Sequence, residues 1–207
     1  TYRNLINSAN TQKMNDIQAN LLTLLNSYGD IVELDWDFDV DSIIKQLSSN
    51  KNWVTAPSVS APQGLPLTGS NNLDLRTKDS KEGEYNDNLK SCPSLLKFFD
   101  NWNSLAKCHA VKMNSGNFFR LHRDAYKTTQ QMRIFIPLNK TELHEWAFIY
   151  DKQLAPFKAG KPYLLNTKKQ HGSFAFVDDI YHILMGVYIN PHNFKVITNL
   201  LPNCRTH

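Results

Sequence analysis

The chain has 207 residues, of which 41% are hydrophobic, so it is long enough for one sizeable core and too short for two comfortable domains. Its formal charge is +4 and its longest basic run is the pair Lys168 and Lys169, a pattern that argues against a nucleic-acid groove. No run approaches the ~18 apolar residues of a membrane span, so we expect no membrane partner.

The cysteines and the first residues bear on the cellular compartment. Cys92, Cys108 and Cys204 are odd in number, widely separated and without CxxC spacing, which indicates neither a disulfide framework nor a zinc site. Residues 1–10 lack the apolar core of a secretory signal. We therefore predict a reducing, cytoplasmic location.

Three helices are predicted in the first half of the chain. Between residues 14 and 25, apolar side chains recur at steps of three and four and form one helical face, and residues 39–49 repeat this pattern. A third helix is predicted to begin at Pro93, where proline suits a first turn, and to run to residue 106. We interpret all three as packing elements.

A long stretch, about residues 55–90, separates the second helix from the third. It is rich in Pro, Gly, Ser and Asn, and then in charged residues. Structureless connections of this length are uncommon in compact domains and are often functional or disordered. Two interpretations stay open for it: a loop that covers the substrate, or a solvated insertion.

From residue 108 onward the pattern changes to short segments rich in β-branched and aromatic residues, separated by Asn, Gly, Asp or Pro. Strands are predicted over residues 108–114, 118–124, 132–138, 145–151, 161–167, 172–178, 182–189 and 194–201. Helices followed by such strands favour a single domain over 1–207 that is mainly β. We predict a double-stranded β-helix (jelly roll, cupin-like) over 108–201, buttressed by the helices and loops of 1–107.

The residues His-Arg-Asp at 122–124 are the first candidates for chemistry. Along a strand, residues i and i+2 face the same side, so His122 and Asp124 are expected to point together into the jelly roll. One imidazole and one carboxylate are two of the three ligands of a 2-His-1-carboxylate site, which leaves three positions of Fe(II) open. The pair alone is weak evidence, because such pairs also occur by chance at strand ends.

Three longer motifs strengthen this interpretation. MNSGNFFRLHRD places Gly116 six residues before His122, and MRIFIPLN has the form Arg-x-x-x-Pro-Leu. AGKPYLLNTKKQHGSFAF combines Gly-Lys with Asn166 and, five residues later, His171. In these motifs the chain resembles the Fe(II)/2-oxoglutarate dioxygenases, and among them the branch of the proline hydroxylases and aspartyl/asparaginyl β-hydroxylases. The resemblance covers about residues 108–190.

The resemblance implies the third metal ligand. His171 occupies the position of the family's distal histidine, whereas His182, its rival, opens the next strand. We therefore predict that His122, Asp124 and His171 bind the metal. The remaining histidines are interpreted as ordinary hydrogen-bonded side chains.

The family's usual anchor for the co-substrate is missing. The family places an arginine about ten or eleven residues after the distal histidine, where its fork binds the distal carboxylate of 2-oxoglutarate. Tyr181 and His182 occupy those positions here. Arg133 is the best substitute, because its counterpart in the β-hydroxylase branch reaches toward the co-substrate, and a charged His182 is the second candidate. Arg120 and Lys195 are weaker ones.

The resemblance implies a hydroxylase that uses Fe(II), 2-oxoglutarate and O2 to oxidise an unactivated C–H bond. The substrate class it suggests is an amino acid, and we lean toward a free amino acid over a peptide. Two other classes stay open: a cupin-type metal-binding protein of different activity, and a binding module with a dead site. Nucleic-acid dealkylation is disfavoured, because that family's second pair of arginines after the distal histidine is absent. The oligomeric state does not follow from the sequence.

Overall fold

A computed structural model describes residues 16, 19–21, 23–55, 60–71, 81–124 and 131–202. Its strands, in chain order, are β1 (Ile31–Glu33), β2 (Val54–Thr55), β3 (Gln63–Pro66), β4 (Leu105–Met113), β5 (Phe118–His122), β6 (Gln131–Pro137), β7 (Trp146–Tyr150), β8 (Gln153–Leu154), β9 (Tyr163–Leu165), β10 (His171–Ala175) and β11 (Ile180–Tyr188). Its helices are α1 (Val40–Ser48), α2 (Asp87–Lys90), α3 (Pro93–Phe99) and α4 (Pro191–Leu200).

The strands form two antiparallel sheets. The larger sheet has seven strands in the order β1-β9-β6-β11-β4-β3-β2, and the smaller has four in the order β5-β10-β7-β8. From β4 to β7 and again from β8 to β11, successive strands alternate between the two sheets. The architecture is a jelly roll with flanking helices, as the sequence pattern predicts.

Alternation along the central strands divides the buried side chains into two cores. In β6, Met132 and Ile134 face the helices, whereas Arg133 and Phe135 face the smaller sheet. The helix-side core takes Leu47 and other apolar side chains of the helices. The second core lies between the sheets and is rich in aromatic side chains: Phe135, Trp146, Phe148, Tyr150, Phe157 and Tyr163.

The last predicted strand, 194–201, is wrong, because these residues belong to α4. The side chain of Asn190 accepts a hydrogen bond from the Asn193 backbone and caps the helix, and Pro191 suits its first turn. Ile197 is fully buried on the helix-side core. The other predicted strand segments each contain a strand.

The first part of the chain also differs from expectation. The predicted third helix ends at Phe99, and Leu105 already begins β4. The stretch 55–90 contains β3, which pairs with β4, although residues 56–59 and 72–80 lie outside the described residues. Of the predicted helix over 14–25, the described residues from 19 on are helical.

The first three strands of the chain join the larger sheet, so the region 1–107 contributes to the jelly roll as well as supporting it. The limits of the domain stay a prediction. Among the residues that the structure describes, no helix combines the length and the apolar character that crossing a membrane requires.

Candidate metal centre

Two strands of the smaller sheet bring the predicted metal ligands together. β5 and β10 pair antiparallel with His122 opposite His171, and the centroids of the two imidazole rings lie 4.4 Å apart. Asp124 follows the end of β5, where its backbone N–H donates to the carbonyl oxygen of Thr167 at 3.0 Å. One ligand atom from each of His122, Asp124 and His171 lies within 4.8 Å of the others.

Backbone carbonyls fix the orientation of both imidazoles. Nδ1 of His122 lies 2.7 Å from the carbonyl oxygen of Arg120, and Nδ1 of His171 lies 2.9 Å from that of Lys169. A carbonyl only accepts, so each Nδ1 carries the proton and each Nε2 keeps its lone pair. Metal-binding histidines in proteins are commonly oriented in this way.

The carboxylate of Asp124 completes the donor set. One of its oxygens lies 3.6 Å from Nε2 of His122, and the other lies 3.8 Å from Nε of Arg133. Two imidazole nitrogens and one carboxylate oxygen suit a non-haem Fe(II) site with open positions. The residues present therefore fit the metal that the sequence resemblance implies.

The ionisation of the two imidazoles reflects their surroundings. The carboxylate of Asp124 can accept a hydrogen bond from Nε2–H of the charged imidazole and so raises the pKa of His122, whose side chain is 44% exposed. Burial lowers the pKa of His171 and so favours its neutral form. The neutral imidazole is the form that binds a metal.

An irregularity in β5 changes which side chains face inward. The register between β5 and β10 shifts between the pair His122–His171 and the pair Phe119–Ser173. Phe119 and His122, three residues apart, consequently both line the cavity. Strict alternation would have turned Arg120 inward with His122, but Arg120 does not line the cavity.

The predicted ligands line a cavity of about 300 Å³ between the two sheets. Much of its wall is apolar and is formed by Phe119, Phe148, Leu165 and Leu184. Polar groups line it as well: Arg133, Thr167, Ser173, His109 and His182.

Arg133 reaches this cavity from β6 and lies opposite Gly186 of β11. A Cβ atom on Gly186 would collide with Nη1 of Arg133 and would lie 2.9 Å from the carbonyl oxygen of Lys107. Glycine at this position therefore leaves the space that the guanidinium occupies.

His182 lines the cavity, but the prediction of a charged His182 is not supported, because burial lowers its pKa. It is 2% exposed and contacts the rings of Phe135 and Trp146, with centroid distances of 5.0 and 5.9 Å. Burial lowers its pKa to about 3, so the imidazole is neutral near pH 7. Its buried Nδ1 has no hydrogen-bond partner among the described residues.

The other proposed anchors lie away from the cavity. Tyr181 belongs to the helix-side core, where its ring centroid lies 6.0 Å from that of Trp53, so it faces away from His182. Lys195 is an exposed residue of α4 on the same side of the larger sheet. Neither residue lines the cavity wall.

His109 was expected to be an ordinary hydrogen-bonded side chain, but it lines the cavity. It lies on β4 opposite Leu184 and lines the cavity, and its buried Nδ1 has no partner among the described residues. Burial, and next the positive charge of Arg133, lower its pKa to about 3. The sequence did carry a signal for this position. His109, Val111 and Met113 alternate along β4 with helix-facing residues, which places all three on the cavity side of the strand.

Comparison with known proteins adds information on the fold. No family model and no curated protein matches the sequence. Among solved structures, a prolyl hydroxylase from Trichoplax adhaerens, in complex with a hypoxia inducible factor peptide fragment, matches with a TM-score of 0.56 and 11% identity. The match covers 90% of this chain and 95% of that chain.

Two bacterial structures match similarly. A 2OG-Fe(II) oxygenase family oxidoreductase from Burkholderia pseudomallei has a TM-score of 0.52 and 14% identity, covering 85% of this chain and 89% of that chain. A prolyl-4-hydroxylase from Pseudomonas putida has a TM-score of 0.51 and 11% identity, covering 83% and 99% respectively. The chain therefore has the fold of the 2OG-Fe(II) oxygenases, including prolyl hydroxylases, which confirms at the level of the fold what its motifs predict.

Proposed function

We propose that the chain is an Fe(II)- and 2-oxoglutarate-dependent oxygenase that hydroxylates a C–H bond of an amino acid, free or within a peptide. The observation that carries the proposal is the grouping of His122, Asp124 and His171 in the cavity lining, with both Nε2 lone pairs left for a metal. The fold shared with 2OG-Fe(II) oxygenases supports it.

The metal and co-substrates supply the oxidising power. With 2-oxoglutarate and O2, bound Fe(II) supplies C–H hydroxylation, in which one oxygen atom enters the product and the other enters succinate as CO2 is released. His122, Asp124 and His171 hold three positions of the metal and leave three for reactants. The apolar wall formed by Phe119, Phe148 and other side chains excludes water from the reacting groups.

We further propose that Arg133 binds the distal carboxylate of 2-oxoglutarate. Its guanidinium lines the same cavity as the metal ligands and contacts Asp124. A guanidinium carries its charge at all physiological pH values and can bind a carboxylate with two parallel hydrogen bonds.

The neutral histidines assist Arg133 in this proposal. His109 and His182 each have a buried Nδ1 without a partner among the described residues. A buried polar group without a partner is costly, so a ligand that accepts its N–H stabilises the complex. As neutral groups both imidazoles can donate to a carboxylate without placing further positive charge in the cavity.

The substrate class is supported more weakly. The similar structure from Trichoplax adhaerens holds a peptide, and the similar protein from Pseudomonas putida is a prolyl-4-hydroxylase. His122 is partly exposed, so the metal lies near the surface, where an amino acid or one residue of a peptide can approach it.

A succinate-release assay tests the proposal. Purified protein with Fe(II), 2-oxoglutarate and O2 is screened against free amino acids and against short peptides containing Pro, Asp or Asn. We expect substrate-dependent succinate release that is lost in Asp124→Ala and kept in His144→Ala, which removes an exposed histidine outside the cavity. Metal binding without any succinate release would favour a cupin-type protein of other activity.

A further inference from the structure

One short segment supports two of the three metal ligands. Residues 166–170, here called the ligand loop, connect β9 to β10. The carbonyl oxygen of Thr167 accepts the backbone N–H of Asp124 at 3.0 Å. The carbonyl oxygen of Lys169 accepts Nδ1–H of His171 at 2.9 Å. A shift of the ligand loop would therefore move Asp124 and rotate His171 together.

Asp30, which is distant in sequence, forms hydrogen bonds with the first residue of the ligand loop. The backbone N–H of Asn166 donates to the carbonyl oxygen of Asp30 at 2.9 Å, and its side-chain amide donates to a carboxylate oxygen of Asp30 at 2.7 Å. The hydroxyl of Tyr150 donates to the carbonyl oxygen of Asn166 at 2.8 Å. Three hydrogen bonds thus fix this single residue.

The same carboxylate reaches the end of the ligand loop. Nζ of Lys169 lies 3.7 Å from the second oxygen of Asp30 and 3.1 Å from an oxygen of Asp151. The backbone N–H of Asp151 also donates to the carbonyl oxygen of Gln170 at 2.8 Å. Asp30 therefore connects both ends of the segment whose carbonyls orient the ligands.

Strand pairing explains why Asp30 lies there. It immediately precedes β1, which pairs with β9 so that Ile31 lies opposite Leu165. The ligand loop begins directly after Leu165. The antiparallel register of an edge strand consequently brings Asp30 beside Asn166, across 136 residues of sequence.

We propose that Asp30 is a positioning residue for the metal centre, which acts on Asp124 and His171 through the ligand loop. The proposal rests on the proposed function, because it assigns the residue a part in metal binding. Losing an outer-shell partner typically weakens metal binding roughly 10- to 100-fold. Asp30 acts through one further segment and its side chain is 36% exposed. We therefore expect its loss to weaken Fe(II) binding about tenfold, the lower end of that range.

The experiment compares Asp30→Ala with two other variants. Asp30→Asn keeps an oxygen that can accept from Asn166 and loses the attraction to Lys169. The matched control is Asp37→Ala, which breaks an ion pair of 2.6 Å with Lys161, near the other end of β9 and away from the ligand loop. Anaerobic titration with Fe(II) gives the metal affinity. Hydrogen exchange of the Asp124 amide, followed by NMR in metal-free protein, measures directly how well the ligand loop protects that amide.

We expect Asp30→Ala to bind Fe(II) about tenfold more weakly than wild type, and to exchange the Asp124 amide faster, with Asp30→Asn intermediate and Asp37→Ala unchanged in both measurements. If Asp30→Ala shows the same Asp124 amide exchange and the same Fe(II) affinity as Asp37→Ala, the inference is overturned and the proposed function stays intact. Wild-type protein that binds no Fe(II) would overturn the proposed function, and with it any role of Asp30 in metal binding.

Discussion

The cavity is lined by two pairs of histidines, and the two pairs have different surroundings. His122 and His171 place Nδ1 on backbone carbonyls and lie beside Asp124. The buried Nδ1 atoms of His109 and His182 have no partner within the described part of the chain, and burial lowers both pKa values to about 3. Histidine therefore occurs in this cavity in two different environments.

This difference shows that the second hydrogen bond of a histidine is as informative as its location in a cavity. A carbonyl on Nδ1 leaves the Nε2 lone pair for a metal, as in His122 and His171. A buried imidazole that lacks such a partner stays neutral and has hydrogen-bonding capacity left for a ligand. We therefore propose metal binding for His122 and His171, and co-substrate binding for His109 and His182 with Arg133.

The largest expected effect separates the two pairs by metal binding. His171→Ala removes a ligand, so Fe(II) affinity should fall by more than the roughly 10- to 100-fold that losing an outer-shell partner costs. His182→Ala should leave Fe(II) affinity close to that of wild type, because His182 is not in the ligand group. Anaerobic Fe(II) titration of both variants measures this. Equal loss in the two variants would mean that the pairs are not distinct.

The next effect concerns the co-substrate. Arg133→Ala should raise the dissociation constant of 2-oxoglutarate roughly ten- to more than hundredfold, since a charge-assisted contact is worth ~1.5 to 3 kcal/mol. Isothermal titration with a metal-loaded, oxygen-free sample measures it. Arg120→Ala is the matched control, because Arg120 is exposed and its side chain lies outside the cavity. A larger loss in Arg120→Ala than in Arg133→Ala would place the anchor elsewhere.

The smallest effect is a pH dependence of stability. His182 has a pKa of about 3 in the folded protein, against about 6.5 in the unfolded chain. Below about pH 6.5 the unfolded state therefore binds more protons, and the folded protein becomes less stable as the pH is lowered. From pH 7 to 5.5 this loss of stability is about 1 kcal/mol for one such histidine. Urea unfolding of His182→Asn should show a shallower loss over that interval. Identical losses in variant and wild type would show that His182 is not buried in its neutral form.

Local patterns predict the strands of the jelly roll well. Alternation of Met132, Ile134 and Ile136 with inward residues identifies β6 directly. The segment 194–201 has conflicting patterns, because its β-branched residues resemble a strand while Phe194, Ile197 and Leu201 repeat at helical steps. Asn190 as the N-cap and Pro191 in the first turn are the local signals that identify this segment as a helix.

The grouping of His122, Asp124 and His171 was predictable from the sequence because their spacing is part of a recognisable motif. The remaining features of the site depend on register. The pairing of β5 with β10 determines the irregularity that turns Phe119 and His122 to the same side. The pairing of β6 with β11 places Gly186 opposite Arg133. Asp30 reaches Asn166 only through the pairing of β1 with β9. None of these contacts leaves a local pattern in the sequence.

The most direct test of the central claim is an anaerobic titration of wild-type protein with Fe(II), followed by 2-oxoglutarate. Because His122, Asp124 and His171 leave positions open for a chelating co-substrate, we predict one Fe(II) per chain and a weak visible charge-transfer band that appears only after 2-oxoglutarate is added. Stoichiometric Fe(II) binding without the band would contradict the assignment of 2-oxoglutarate, and the absence of Fe(II) binding would contradict the metal centre itself.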